Sequence, residues 1–257
     1  MLKRENFTEE HIRNLQQSSR RDPVLLERAV YAFGLLEALA RVEMPFIFKG
    51  GTCLILLMDS PRRLSTDIDI IVHPETDLDD YLKKVSEIFP FRDMEEQKRV
   101  GKNNIVKRHF KFTYDSPINQ KPFYILLDVL FEENHYAEVV RKEIRNDLLL
   151  TEPQYLSVEL PSADCILADK LTAFAPHTTG IPLNVGKDME VMKQFYDVVS
   201  LLEIFTDSSK ILPTYQRIAQ AEIAYRGINA TAQDCLWDTF DAAFSIASRG
   251  KIGAKEY

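Results

Sequence analysis

Residues 65–72 read STDIDIIV, an apolar run with the look of a buried strand that nevertheless carries Asp67 and Asp69. Aspartate is disfavoured in strands, and an ionised carboxylate in an apolar interior is costly unless something pairs with it. Side chains two apart on a strand share a face, so the two acids point together while Ile68 and Ile70 point the other way. Such a chain must place this strand with its acids at a rim or beside a cation. The run FYILLDVLF repeats the anomaly, with Asp128 set among apolar neighbours.

Taken singly, each acid has a plain explanation: a strand end, a solvated face or a partner for an arginine. Three acids on two strands are better explained together. Hard divalent cations such as Mg²⁺ take oxygen ligands, and a few carboxylates plus substrate phosphates make a usual Mg²⁺ site. One or two such ions can activate an attacking oxygen and screen phosphates during an in-line displacement, which is phosphoryl or nucleotidyl transfer. Upstream, KGGT supplies backbone that approaches phosphate without a Cβ in the way. Gly50 and Gly51 at a helix start can offer N–H groups to a nucleoside triphosphate, Thr52 a hydroxyl and Lys49 a positive charge, although a Gly-Gly pair by itself also marks any tight turn.

The order of elements sets these residues in context. Asp22 is a suitable N-cap with Pro23 at the first helical position, opening a long helix that runs to Val42. PFIFKGG reads as a short strand ended by glycines, TCLILLM as a short buried helix and DLDDYLKKVSEIF as an amphipathic helix; IVKRHFKFTY and FYILLDVLF read as strands. From Pro161 onward the periodicity is helical, in SADCILADKLTAFA, MEVMKQFYDVVSLLEIF, TYQRIAQAEIAYR and ATAQDCLWDTFDAAFSIAS. The expected fold is α+β: an N-terminal domain over 1–160 with a small mixed sheet, and a helical domain over 161–257 that closes a cleft.

Composition narrows the class. The chain has 257 residues with a net charge of −7, so it is not a wholly basic coat for nucleic acid. Locally, Lys98, Arg99, Lys102, Lys107, Arg108, Lys111 and Lys121 face one acid, Asp115, a segment that suits phosphates or forms a solvated strand and loop. No apolar run approaches the roughly 20 residues of a bilayer span, and MLKRENFTEEHIRN lacks the apolar centre of a signal peptide, so a cytoplasmic, membrane-free protein is expected. Cys53, Cys165 and Cys235 lie far apart without metal-ligand spacing and read as small buried hydrophobes. His73 and His177 are isolated; His177, in the APHTTGIP loop, is a candidate loop contact to substrate.

Strand, Gly-Gly, short helix, loop and a strand of pattern h-D-h-D-h form the signature of the DNA polymerase β-like nucleotidyltransferase superfamily. With fifteen residues between Gly51 and Asp67, FIFKGGTCLILLMDSPRRLSTDIDIIV resembles more narrowly the nucleotidyl transferase AbiEii/AbiGii toxin family, which carries KGGT and then R-x-S-x-D-h-D, here Arg63, Ser65, Asp67 and Asp69. The likeness extends to Asp128 as third acid and to Lys170 in ILADKLTAF. In KQFYDVV the chain keeps Asp197 but has Lys193 and Gln194 where the family often has Arg and Asp. The resemblance covers about residues 45–205.

Together the residues and the resemblance imply a nucleotidyltransferase-fold domain in which Asp67 and Asp69 hold Mg²⁺ and the triphosphate, while Asp128 completes the site and helps deprotonate the attacking hydroxyl. Ser65 orients the loop or touches phosphate, and Arg63 pairs with an acid or phosphate. Lys170 is implied to offset phosphate charge over the cleft, and Asp197, stranded on an apolar helix, calls for a buried partner such as Lys170 or Lys193. The expected acceptor is tRNA or another RNA end, and the expected genetic neighbour is a winged-helix antitoxin. Transfer to a small molecule or a protein side chain, and a catalytically silent nucleotide-binding component, are the alternatives.

Overall fold

Asp22 accepts hydrogen bonds from the Val24 and Leu25 amides, and Pro23 supplies a pre-set φ, so the first long helix starts where the sequence places it. The protein is described here by a computed structural model covering residues 1–58, 62–97 and 106–248. Lys98, Arg99 and Lys102 of the basic segment therefore lie outside the described residues. The chain divides into two compact units, 1–134 with 140–160 and 135–139 with 161–257.

The first unit begins with a short 3-10 turn, Arg4–Phe7, and helices α1 (Glu9–Ser19) and α2 (Pro23–Arg41). Then come β1 (Ile47–Lys49), α3 (Gly50–Leu57), β2 (Ile68–Val72), α4 (Asp79–Ser86), β3 (Phe91–Glu96), β4 (Lys107–Ser116), β5 (Lys121–Phe131), β6 (Val139–Glu143) and β7 (Ser157–Pro161). These strands form one mixed seven-stranded sheet in the order β3-β4-β5-β2-β1-β7-β6. β2 runs antiparallel to β1 and parallel to β5, and β5 runs antiparallel to β4.

One face of the central strands is apolar: Ile68, Ile70, Leu127, Val129, Phe110 and Phe112 are buried, and so are Leu26, Val30 and Phe33 of α2. Burial of each such side chain contributes about 1.5–3 kcal/mol. α2 also carries a buried acid. Glu27 accepts from Tyr114 Oη at 2.9 Å, Ser116 Oγ at 2.9 Å and the Ile118 amide at 3.0 Å, which satisfies a carboxylate that would otherwise be costly to bury. Burial, and then the Glu27 charge, push both the Tyr31 and Tyr114 phenols well above their usual range.

The second unit holds α5 (Ala163–Ala173), α6 (Asp188–Leu202), α7 (Ser208–Arg226) and α8 (Ala232–Ala247). Ser162 caps α5, and Thr231 with Asp234 forms a capping box on α8. Ala168, Tyr215, Ala219 and Cys235 form a small core around α5, α7 and α8. All three cysteines are free and buried. No helix among the described residues is long and apolar enough to cross a membrane.

Candidate functional site

The two glycines connect β1 directly to α3, and each is required by what lies over it. Gly50 has φ +78°, a conformation L side chains rarely adopt, and a Cβ there would overlap the Asp69 carboxylate. A Cβ on Gly51 would come within 2.8 Å of Ser65 Oγ and 3.0 Å of Arg63 Nη2. The glycines thus make room first for the side chains of Asp69, Ser65 and Arg63. Thr52, fully buried, donates from Oγ1 to the Asp67 main-chain carbonyl at 2.6 Å, tying the start of α3 to the segment entering β2. Its hydroxyl is thereby committed to the protein.

Register brings the acids together across the sheet. Lys49 of β1 lies opposite Asp69 of β2, Asp69 opposite Asp128 of β5, and Asp128 opposite His109 of β4. Directly opposed residues share a face, so Lys49, Asp69, Asp128 and His109 form one polar row across four adjacent strands. Two like charges opposite one another destabilise strand pairing; here a cationic side chain flanks the pair on one side and an imidazole on the other. His109 Nδ1 lies 2.6 Å from Asp128 Oδ1.

Asp67 stands just before β2 and pairs with Arg28 of α2, whose Nη2 lies 3.2 Å from Oδ1. The Asp67 and Asp128 side chains remain 43% and 35% exposed. Carboxylates on one face of a sheet suit a hard divalent cation chemically. As the side chains stand, no three His, Cys, Asp or Glu residues among those described are grouped closely enough to hold one.

Lys170 and Asp197 lie in the second unit, on α5 and α6. Lys170 Nζ is 3.1 Å from Asp197 Oδ2 and donates to Gln194 Oε1, also at 3.1 Å. Of the two lysines considered as partners, Lys170 is the one in contact, and Lys193 is exposed. His177 is held by Asp238, which accepts from its backbone N–H at 2.8 Å and lies 2.7 Å from its Nδ1, while Thr178 Oγ1 donates to the same carboxylate. His73 pairs with Glu133 at 3.1 Å.

Two neighbours of the acids, Arg28 and His109, carry no local signal in the sequence. Arg28 is one charged residue on a helix of ordinary periodicity, and His109 sits on the polar side of the alternating strand KRHFKFTY. Only the helix placement and the β4–β5 register put them against Asp67 and Asp128.

The family described as "Nucleotidyl transferase AbiEii toxin, Type IV TA system" matches residues 34–251. A crystal structure of an antigenic nucleotidyltransferase-like protein from Paracoccidioides brasiliensis is similar with a TM-score of 0.52 at 16% identity, covering 89% of this chain and 95% of that one. The crystal structure of JHP933 from Helicobacter pylori aligns with a TM-score of 0.41 at 14% identity, covering 88% of this chain and 99% of that one. No curated protein matches. The family match over most of the chain and the nucleotidyltransferase-like fold together show that the chain belongs to the AbiEii nucleotidyl transferase toxin family.

Proposed function

We propose that this protein transfers a nucleoside monophosphate from a nucleoside triphosphate to a hydroxyl at an RNA end, tRNA being the first acceptor to test, with Mg²⁺ as the cation. The observation that carries the reading is the cross-strand pair Asp69 and Asp128, with Gly50 closed against Asp69 at the β1–α3 turn. Asp67 and Asp69 would hold the cation, with Asp128 completing the donor set. When bound, Mg²⁺ screens the triphosphate and favours the ionised form of the attacking oxygen.

The chain's own residues do the rest. Lys49, Ser65 and the backbone at Gly50 and Gly51 bind and orient phosphate oxygens. Asp128 accepts the proton of the attacking hydroxyl; its oxygen bonds to the α-phosphorus as the bond to pyrophosphate breaks. Lys170, with Asp197 and Gln194 around its ammonium group, is the further cation that the family motif assigns to phosphate charge. Lys107 and Lys111 share a strand face with His109 and add positive charge near Asp128, which favours a polyanionic acceptor. A winged-helix antitoxin encoded beside this chain fits the toxin–antitoxin family, and the cytoplasm is the compartment that supplies NTPs and tRNA.

The test incubates purified protein with Mg²⁺, each labelled NTP in turn and total tRNA, beside an Asp67→Ala/Asp69→Ala control. Label on tRNA that vanishes in the control supports the reading. Label on a small molecule or on protein instead reassigns the acceptor, and no label above control in any fraction of a cell extract removes the enzyme reading.

A further inference from the structure

The row of opposed residues ends in a histidine that the proposed reaction has not yet used. His109 is 16% exposed in its side chain, and its Nδ1 lies 2.6 Å from Asp128 Oδ1. A carboxylate oxygen can only accept, so Nδ1 carries the proton and donates it in this bond. Among the described residues nothing else bonds to either Asp128 oxygen, so Oδ2 is left open on the same 35% exposed side chain. The histidine is itself held by its strand: Lys107 to Ser116 pair residue by residue with β5, and the His109 carbonyl accepts from the Gln97 amide at 2.7 Å. An aspartate side chain has two rotatable bonds, and a short bond from a fixed ring removes most of that freedom.

We propose that His109 is a positioning residue for nucleotidyl transfer: its Nδ1–H holds Asp128 through Oδ1, so that Oδ2 is the oxygen offered to cation and attacking hydroxyl. The inference rests on the role given to Asp128 above. It requires no proton transfer by the imidazole. Hydrogen-bond partners that orient a ligating carboxylate change metal affinity or activity by about 10–100-fold when removed. Asparagine at position 109 keeps an amide N–H close to where Nδ1 stands, whereas alanine keeps none.

The experiment compares the unmodified protein with His109→Ala, His109→Asn, Asp128→Ala and, as a control on the same strand face, Thr113→Ala. Circular dichroism checks that each folds, and two readouts follow: Mn²⁺ affinity without nucleotide, and the kcat and KM for NTP in the labelling assay. His109→Ala is expected to weaken Mn²⁺ binding and lower kcat by about 10–100-fold, with KM for NTP little changed. His109→Asn should recover most of both, and Thr113→Ala should leave both unchanged. The inference is overturned if His109→Ala binds Mn²⁺ and turns over like the unmodified protein, or if asparagine is no better than alanine. Should the unmodified protein transfer no nucleotide, the metal readout still decides. Equal weakening by His109→Ala and Asp128→Ala upholds the positioning role while the transfer reading fails, and weakening by Asp128→Ala alone, or no Mn²⁺ binding at all, overturns it.

Discussion

The two units solve the problem of a charged group in apolar company in opposite ways. In the first, Asp67 and Asp128 are 43% and 35% exposed at the side chain, and Arg28 and His109 reach them from neighbouring elements. In the second, the Lys170 and Asp197 side chains are only 9% and 2% exposed and face each other, with Gln194 completing the contact. An open acid retains oxygens for a ligand; in a buried ion pair each charge is offset by its partner, and removing either one strands the other. Proximity to apolar residues in sequence therefore does not by itself separate a binding group from a structural one.

The largest expected effect is on the first unit's chemistry. Asp69→Ala should reduce nucleotide transfer by about 10²–10⁴-fold while leaving the thermal midpoint unchanged or slightly raised, because it removes one of two opposed carboxylates. A variant that unfolds early would show that Asp69 is structural and erase the contrast. Next, Asp197→Ala should lose about 3–5 kcal/mol in urea unfolding, since it leaves the Lys170 ammonium buried and unpaired. Replacing both, Lys170→Met with Asp197→Leu, should restore most of that stability; if transfer is abolished in the stable double variant, the pair serves the reaction as well as the fold.

A smaller effect isolates the glycine turn. Gly50→Ala should cost about 1–2 kcal/mol for an L residue at positive φ and should also lower activity by pushing Asp69 aside. Gly227→Ala is the matched control, with φ +62° and nothing within 4 Å of the added Cβ. Equal loss of activity in the two variants would remove the link between Gly50 and the acid.

The smallest effect is a pH dependence in the second unit, where Glu138 accepts from Lys210 at 2.7 Å. The hydrogen bond from Lys210 holds the Glu138 carboxyl below its usual 4.5, and the same bond holds the Lys210 ammonium above its usual 10.5. The depressed acid contributes stability that is complete above 4.5 and lost as pH falls through its folded value. The raised base contributes stability that is complete below 10.5 and lost as pH rises through its folded value. Lys210→Met should flatten both limbs of the thermal midpoint against pH; unchanged limbs would discount the pair.

Much of the scaffold was legible locally. Asp22 with Pro23, the alternation in KRHFKFTY, the apolar run around Asp128 and the helical periodicity after Pro161 all correspond to elements in the structure. Strands β3, β6 and β7 were not foreseen: FRDMEE and VVRKE are mostly polar edge segments whose pairing comes from neighbours rather than from composition, and SVELP is only five residues long. α7 begins at Ser208, ahead of the predicted TYQRIAQAEIAYR, and runs through Pro213, which lies past the first turn and leaves the Ser209 carbonyl without its i+4 donor. His177 was expected in a substrate loop; the structure adds that Asp238 anchors it.

By itself the sequence determined the chemical inventory: three acids in apolar strands, a Gly-Gly turn before them and a lysine and an aspartate on later helices. It determined the family as well, because those motifs depend on local order and spacing. Only the tertiary structure decided which groups meet. The opposition of Asp69 to Asp128, the hold of His109 on that acid and the pairing of Arg28 with Asp67 arise from strand register and helix placement across dozens of residues. Such contacts are set by packing of the whole sheet, and no short stretch of sequence encodes them.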